Sequence, residues 1–291
     1  MDRVHQCAQY IVASNTQQAN RPKGYRSSSM RHPKSILITG ASSGIGESLA
    51  RRYAGPSVTL FLAGRNSERL SDVACVCEEA GASVFTIVLD VTDTARMSDW
   101  IFQSDRQAPL DIIIANAGIS GGTSGGIEPA RQTRRIFDVN VDGVLNTVLP
   151  GFDVMSQREH GQIAIVSSLA GFLPLPSAPA YGASKAAVRH FGEAFRISAS
   201  QRGVAVSVVC PGFVHSKMTT TNPFPMPFIM TGEKAARIIA KGLQKNRARI
   251  AFPWLMYCGI WLLGSLCPSA LLRVLLRCLP AKPAVSDDSG L

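Results

Sequence analysis

Ser35-Ile36-Leu37-Ile38-Thr39-Gly40-Ala41-Ser42-Ser43-Gly44-Ile45-Gly46 is the stretch that decides the fold. Its first five residues have the apolar, β-branched composition of a strand buried on both faces. From residue 45 to 54 the apolar positions recur at helical spacing instead. Between strand and helix, glycines let the backbone turn tightly and approach a ligand closely. The helix N-terminus adds free N–H groups and a positive dipole. A dinucleotide pyrophosphate belongs at such a junction. The spacing is G-x-x-x-G-x-G rather than G-x-G-x-x-G. A glycine-rich turn that binds nothing is the alternative, and the strand–turn–helix context counts against it.

Working outward, the same alternation continues. Residues 58–63, 84–89, 111–115, 162–167 and 204–210 are short apolar runs, each expected to be a strand covered on both faces. Residues 65–79, 94–103, 180–201 and 231–245 show the 3.6-residue period, and 249–252 reads as a last strand. This predicts an α/β protein with a single doubly wound parallel sheet, a Rossmann domain over 35–252. The glycine-rich residues 120–126 are expected to form a mobile loop. Residues 1–34, with six Lys or Arg against Asp2 alone, read as a basic disordered arm. Met30 is as good a start for translation as Met1 on this reading.

Chemistry is carried by Tyr181-Gly-Ala-Ser-Lys185, with Ser168 upstream. Tyrosine titrates near pH 10, too high for acid–base work at neutral pH without help. On a helix, Lys185 lies on the face of Tyr181. A cation there is expected to lower the phenol pKa, and the Ser168 hydroxyl to hold a carbonyl oxygen beside it. Neither Cys75-Val-Cys77 nor the other cysteines have partners at metal-ligand spacing, so no metal site is expected. Cys210 reads as a small core residue and the odd cysteine count as a reducing compartment.

With these motifs together, the chain resembles the short-chain dehydrogenase/reductase family over roughly residues 33–252. The resemblance implies a nicotinamide dinucleotide held by Gly40, Ser42, Ser43, Gly44, Ile45 and Gly46. It implies that Asp90 and Val91 orient the adenine region, and that the Asn116-Ala117-Gly118 turn supports the central sheet. Asn140 would position a proton-relay water and complete a catalytic set with Ser168, Tyr181 and Lys185. Tyr181 and Lys185 also touch the cofactor, and Pro211, Gly212 and Val214 lie beside the nicotinamide. A homodimer or homotetramer is implied as well.

Cofactor choice turns on the end of the second strand, Leu62-Ala-Gly64-Arg65, which lacks the carboxylate that holds a ribose 2′-hydroxyl. Arg65 can pair with a 2′-phosphate instead. NADP, as NADPH, is therefore the expected cofactor, with NAD the competing reading and a solvent-exposed arginine opening the next helix the plain one. Residues 213–232 are expected to form a substrate lid. Prolines at 223, 225 and 227 break its helix, and Phe224, Met226, Phe228, Ile229 and Met230 give it an apolar surface. Ordinary loop packing is the competing account.

The net charge of +10 lacks interleaved aromatics, which argues against nucleic acid as a partner. Residues 253–272 carry no charge, with Arg247, Arg249, Arg273 and Arg277 flanking them and Pro268 interrupting them. The tail 253–291 thus reads as helix–break–helix: a peripheral membrane contact, a hydrophobic funnel for substrate, or a subunit contact. The expectation is a cytoplasmic oxidoreductase interconverting a ketone and a secondary alcohol on an apolar, lipid-like small molecule, with the tail on the cytoplasmic face of a membrane. A sugar or polyketide-type substrate, or a non-catalytic membrane-associated dinucleotide-binding protein, are the alternatives.

Overall fold

A computed structural model describes residues 32–220, 224–276 and 282–284 of the chain. The expected arm lies outside the described residues up to position 31. The Lys34 amide donates to Asp111 Oδ2 at 2.6 Å, fixing the start of the first strand beside the fourth.

Seven parallel strands form one sheet. In chain order they are β1 (Ser35–Thr39), β2 (Thr59–Gly64), β3 (Ser83–Val88), β4 (Ile112–Ala115), β5 (Gly161–Val166), β6 (Val204–Pro211) and β7 (Arg249–Phe252). Their spatial order is β3-β2-β1-β4-β5-β6-β7. The order reverses between β1 and β4, and at such a point two loops diverge to opposite faces and leave a crevice at the strand ends.

Helices α1 (Gly44–Tyr53), α2 (Ser67–Glu79), α3 (Thr94–Gln107), α4 (Ala130–Phe137), α5 (Gly143–Gln157) and α6 (Pro179–Ser200) follow the strands. After β6 come the single turn α7 (Lys217–Thr220) and α8 (Gly232–Gln244), and after β7 come α9 (Trp254–Leu266) and α10 (Ser269–Leu276). Two hydrophobic cores result, one on each sheet face. The first is built around Ile36, Ile38, Leu60 and Ile239, the second around Leu37, Phe61, Ile113 and Ile163. Adjacent β1 residues feed opposite cores, as alternating strand side chains must. This is the doubly wound parallel-sheet Rossmann architecture expected from the alternation.

One strand departs from expectation. β3 is not buried on both faces: Phe85 and Val88 are exposed and none of its side chains is fully covered. It is the sheet edge, with a neighbour on one side only, so Phe85 has only Phe61 to stack on, at 5.4 Å. The tail also departs from a simple appendage. Arg249, read as part of a basic rim, turns inward to Glu193 Oε1 at 2.8 Å and the Tyr257 hydroxyl at 2.7 Å. Gly264 lets α9 press on the Phe172 carbonyl, where an added Cβ would lie only 2.6 Å away. No helix among the described residues is long and apolar enough to cross a membrane.

Candidate active site

The glycine loop is shaped by close approach. Gly40 and Gly44 adopt φ of +65° and +59°, in the left-handed region that side chains disfavour. Gly46 sits so near that an added Cβ would be 2.3 Å from the Gly40 carbonyl and 2.6 Å from Asn116 Nδ2. Asn116 ties this loop to β4, its Nδ2 donating to the carbonyls of Thr39 (3.0 Å) and Gly40 (3.1 Å). Ser43 precedes α1 with extended backbone and no side-chain cap bond, so the first N–H groups of α1 face the crevice without an internal cap.

The crevice is a cavity of about 440 Å³. Of the residues assigned to cofactor from sequence, Ser42, Ser43, Ile45, Arg65, Asp90, Val91, Ala117, Gly118, Pro211, Gly212 and Val214 line it, together with Gly40, Gly44 and Asn116. Gly46 stands behind the wall, where it lets the loop close. Among the proposed catalytic residues, Ser168, Tyr181 and Lys185 line the cavity, whereas Asn140 is buried out of its reach.

Asn140 occupies a π-helical turn, Asp138–Asp142, between α4 and α5. Such turns interrupt the i→i−4 ladder. Its amide is spent on protein: Oδ1 accepts from the Ile119 amide at 2.8 Å, and Nδ2 donates to the Ile119 carbonyl (2.9 Å) and Ser184 Oγ (3.0 Å). The side chain therefore welds the loop after β4 to α6 and sets the position of Tyr181's helix.

Ser168 follows β5, and its Oγ accepts from the Ala170 amide at 3.1 Å. It is hydrogen-bonded to the Tyr181 hydroxyl, which helps the phenolate, but burial dominates and raises the phenol above its ordinary value. Lys185 does not lower it. Burial pulls the Lys185 ammonium down to about 8, and it donates to the Val166 carbonyl at 2.9 Å. Burial of both groups opposes the expected cation-assisted tyrosinate, and the Lys185 ammonium is turned onto backbone. Cys210 is inert, its thiol pushed by burial up to about 12.

Asp90 is held by the Thr92 amide (3.0 Å) and by Arg135 Nη2 at 2.5 Å. These contacts outweigh burial and keep its carboxyl below the usual range. Arg65 lies in the turn before α2 rather than opening it, since Asn66 is the N-cap, accepting from the Arg69 amide at 2.9 Å. Arg69, which sequence reading missed, lines the same end of the cavity, and its Nε is buried with no hydrogen-bond partner among the described residues.

The far end is apolar: Leu173, Leu175, Phe213, Met218, Met256 and Ile260 surround it. The lid differs from expectation here. Of its five apolar residues only Phe224 reaches the cavity; Met230 is core, and Phe228 is 58% exposed. The reason is a parallel bridge between Val214 and Met230 that folds the segment back on itself. Met256 and Ile260 come from the tail, which makes α9 a wall of the cavity.

Comparison with known proteins decides the family. The short chain dehydrogenase profile matches residues 34–224. The chain belongs to the short-chain dehydrogenase family. Consistently, an uncharacterized oxidoreductase of Myxococcus xanthus is 39% identical over 76% of this chain and 88% of its own. An 11-beta-hydroxysteroid dehydrogenase-like protein of Arabidopsis thaliana is 31% identical over 81% and 78%. Among solved structures, a short-chain dehydrogenase/reductase from Mycobacterium marinum shares 26% identity with a TM-score of 0.67, over 75% of this chain and 92% of that one. A short chain dehydrogenase from Mycobacterium paratuberculosis, described as bound to NAD, has the same fold at TM-score 0.67 and 24% identity. This short-chain dehydrogenase is thus an NAD(P)-dependent oxidoreductase, and the crevice lined by the backbone of Gly40 and Gly44 fits a dinucleotide lying against backbone.

Proposed function

We propose that the protein is an NADP(H)-dependent carbonyl reductase that interconverts a ketone and a secondary alcohol on an apolar small molecule. The observation that carries this is one cavity joining the glycine loop, the Ser168–Tyr181 hydroxyl pair and an apolar wall. The bound dinucleotide would supply the hydride. Tyr181, kept neutral by burial, donates its proton to the carbonyl oxygen, and Ser168 holds that oxygen in place. Lys185, which lines the cavity beside Tyr181's helix turn, would serve the ribose. Asn140 acts through position, holding Ile119 against α6.

A neutral phenol suits reduction, since the reverse path needs a tyrosinate base. Two guanidiniums at one end of the cavity, Arg65 and Arg69, and no carboxylate at the end of β2 support a 2′-phosphate. The exposed outer side of α9 and α10, with Trp254 at 67% and Leu266 at 71%, supports peripheral attachment to a membrane on a cytoplasmic face or burial against a second copy. The test is NADPH oxidation with ketones of graded chain length, for wild type and Tyr181→Phe. Turnover rising with chain length, and falling roughly 10²–10⁴-fold in the variant with NADPH affinity kept, is the expected result. Turnover surviving in a folded variant would remove Tyr181 from the chemistry. No turnover of any carbonyl would leave a dinucleotide-binding protein without catalysis.

A further inference from the structure

The tail returns to the site. Lys282 lies 101 positions beyond Tyr181, yet its Nζ stands 5.5 Å from the centre of the Tyr181 ring and lines the cavity. Two sets of contacts fix it. Nζ donates to Ser120 Oγ at 2.6 Å. Around it, the Ser124 amide donates to the Lys282 carbonyl at 2.8 Å and the Ala284 amide to Ser124 Oγ at 2.7 Å. The glycines of residues 120–126 permit this docking, for a Cβ on Gly122 would meet the Lys282 carbonyl at 2.2 Å. The loop read from sequence as mobile is therefore tied down by the tail.

An ammonium offers three donors. Among the described residues one goes to Ser120, and no carboxylate forms an ion pair with Lys282. Glu128 is the acidic group that acts on it through space. Its oxygens are already engaged, Oε1 by Gln132 Nε2 at 2.7 Å and Oε2 by the Ala180 amide at 2.8 Å. Burial pulls the Lys282 ammonium down to about 8, as expected of a cation short of counter-charge. Leu175 and Ile260 line the same cavity, so it offers a ligand both this cation and an apolar wall.

We propose that Lys282 is the specificity-determining anchor of the substrate site, pairing with an anionic oxygen group, such as a carboxylate, on an apolar carbonyl compound. This rests on the carbonyl-reductase reading for its chemistry but not for its binding. The anionic head would sit at the mouth by Ser120, with the apolar chain along α9 and the carbonyl at Tyr181.

The test measures binding in the presence of NADPH by calorimetry, with decanoate and decan-1-ol as probes of equal chain length. Wild type is expected to bind decanoate at least tenfold more tightly than the alcohol. Lys282→Met should abolish that preference, and Lys282→Arg should keep most of it. Gly122→Val, which leaves the lysine intact but evicts its backbone, should abolish it as well. Unchanged NADPH affinity in each variant certifies the fold. Absence of preference in wild type, or equal losses for acid and alcohol in Lys282→Met, overturns the proposal. If the preference behaves as expected while no keto acid or ketone is reduced, the anchor stands and the reductase reading fails.

Discussion

A buried tyrosine that is harder to ionise than usual and a buried lysine that is easier to neutralise are two results of the same desolvation. Together they set the pH behaviour of the site. Reduction needs the Tyr181 proton, so its rate is expected to hold through neutral pH and fall only on the alkaline side. Oxidation of the alcohol needs the tyrosinate and should climb with pH over the same range. Turnover profiles measured in both directions check this; parallel profiles would show that another group titrates. Lys185 carries a linked effect on stability. Its pKa of about 8 in the fold lies below the ordinary lysine value near 10.4, so the unfolded chain binds more protons between these limits. Burial of Lys185 therefore costs stability below pH 8, and the cost is relieved as pH rises through that window. The desolvation cost of Lys185 should make wild type gain stability relative to Lys185→Met as pH rises from 7 toward 10 in paired denaturation experiments. At the nucleotide end, Arg65→Ala should weaken NADPH by roughly 1.5–3 kcal/mol and NADH little. Titration of both cofactors decides it, and equal losses would remove Arg65 as the discriminating residue.

Helix α9 presents two different sides. Met256 and Ile260 face the cavity, while Trp254, Leu255, Trp261 and Leu262 are exposed. Paired Trp254→Glu and Trp261→Glu changes should lower binding to anionic vesicles and spare turnover on short ketones. Ile260→Asp should do the reverse, placing a charge where the apolar chain lies. Vesicle binding that is weak in wild type would shift the outer face to a contact between subunits. The bounds of α9 were readable because Pro253 and Pro268 bracket an unbroken apolar run. Which side faced the site was not, since a helix apolar all round carries no stripe to orient it. Likewise β1, β4 and β5 were plain as β-branched runs, whereas β3 has the same composition and its edge position is a property of sheet order alone. After Asn140, α5 went unread because Gly143, Pro150 and Gly151 weaken the helical signal that packing against the sheet restores. The glycine loop, Ser168, Tyr181 and Lys185 were legible because their spacing is local. Arg69, Met256 and Lys282 reach the site through tertiary folding, which local spacing does not encode.

Across the whole molecule, ligand and fold are linked. A dinucleotide that binds only the folded chain adds about 2.7 kcal/mol at a hundredfold excess over its Kd. That should raise the melting temperature by several degrees, and a thermal scan with and without NADPH measures it. Gly46→Ala should erase the shift and lower the melting temperature itself, because its methyl would press on the Gly40 carbonyl and overpacking costs about 1–3 kcal/mol. A shift of normal size in that variant would place the pyrophosphate elsewhere. The return of Lys282 to Ser120 has a further consequence, for the order in which a nascent chain acquires its parts. Domains tend to fold as they leave the ribosome, N-terminal portions first. Here the glycine loop is made within the first 46 residues and the sheet is complete by residue 252, so a core able to receive nucleotide precedes the mouth. Lys282 is synthesised only after every strand of the sheet. The growing protein gains its cofactor platform before the segment that carries Lys282, so truncation ahead of Lys282 should remove the anchor and leave the nucleotide-binding sheet intact.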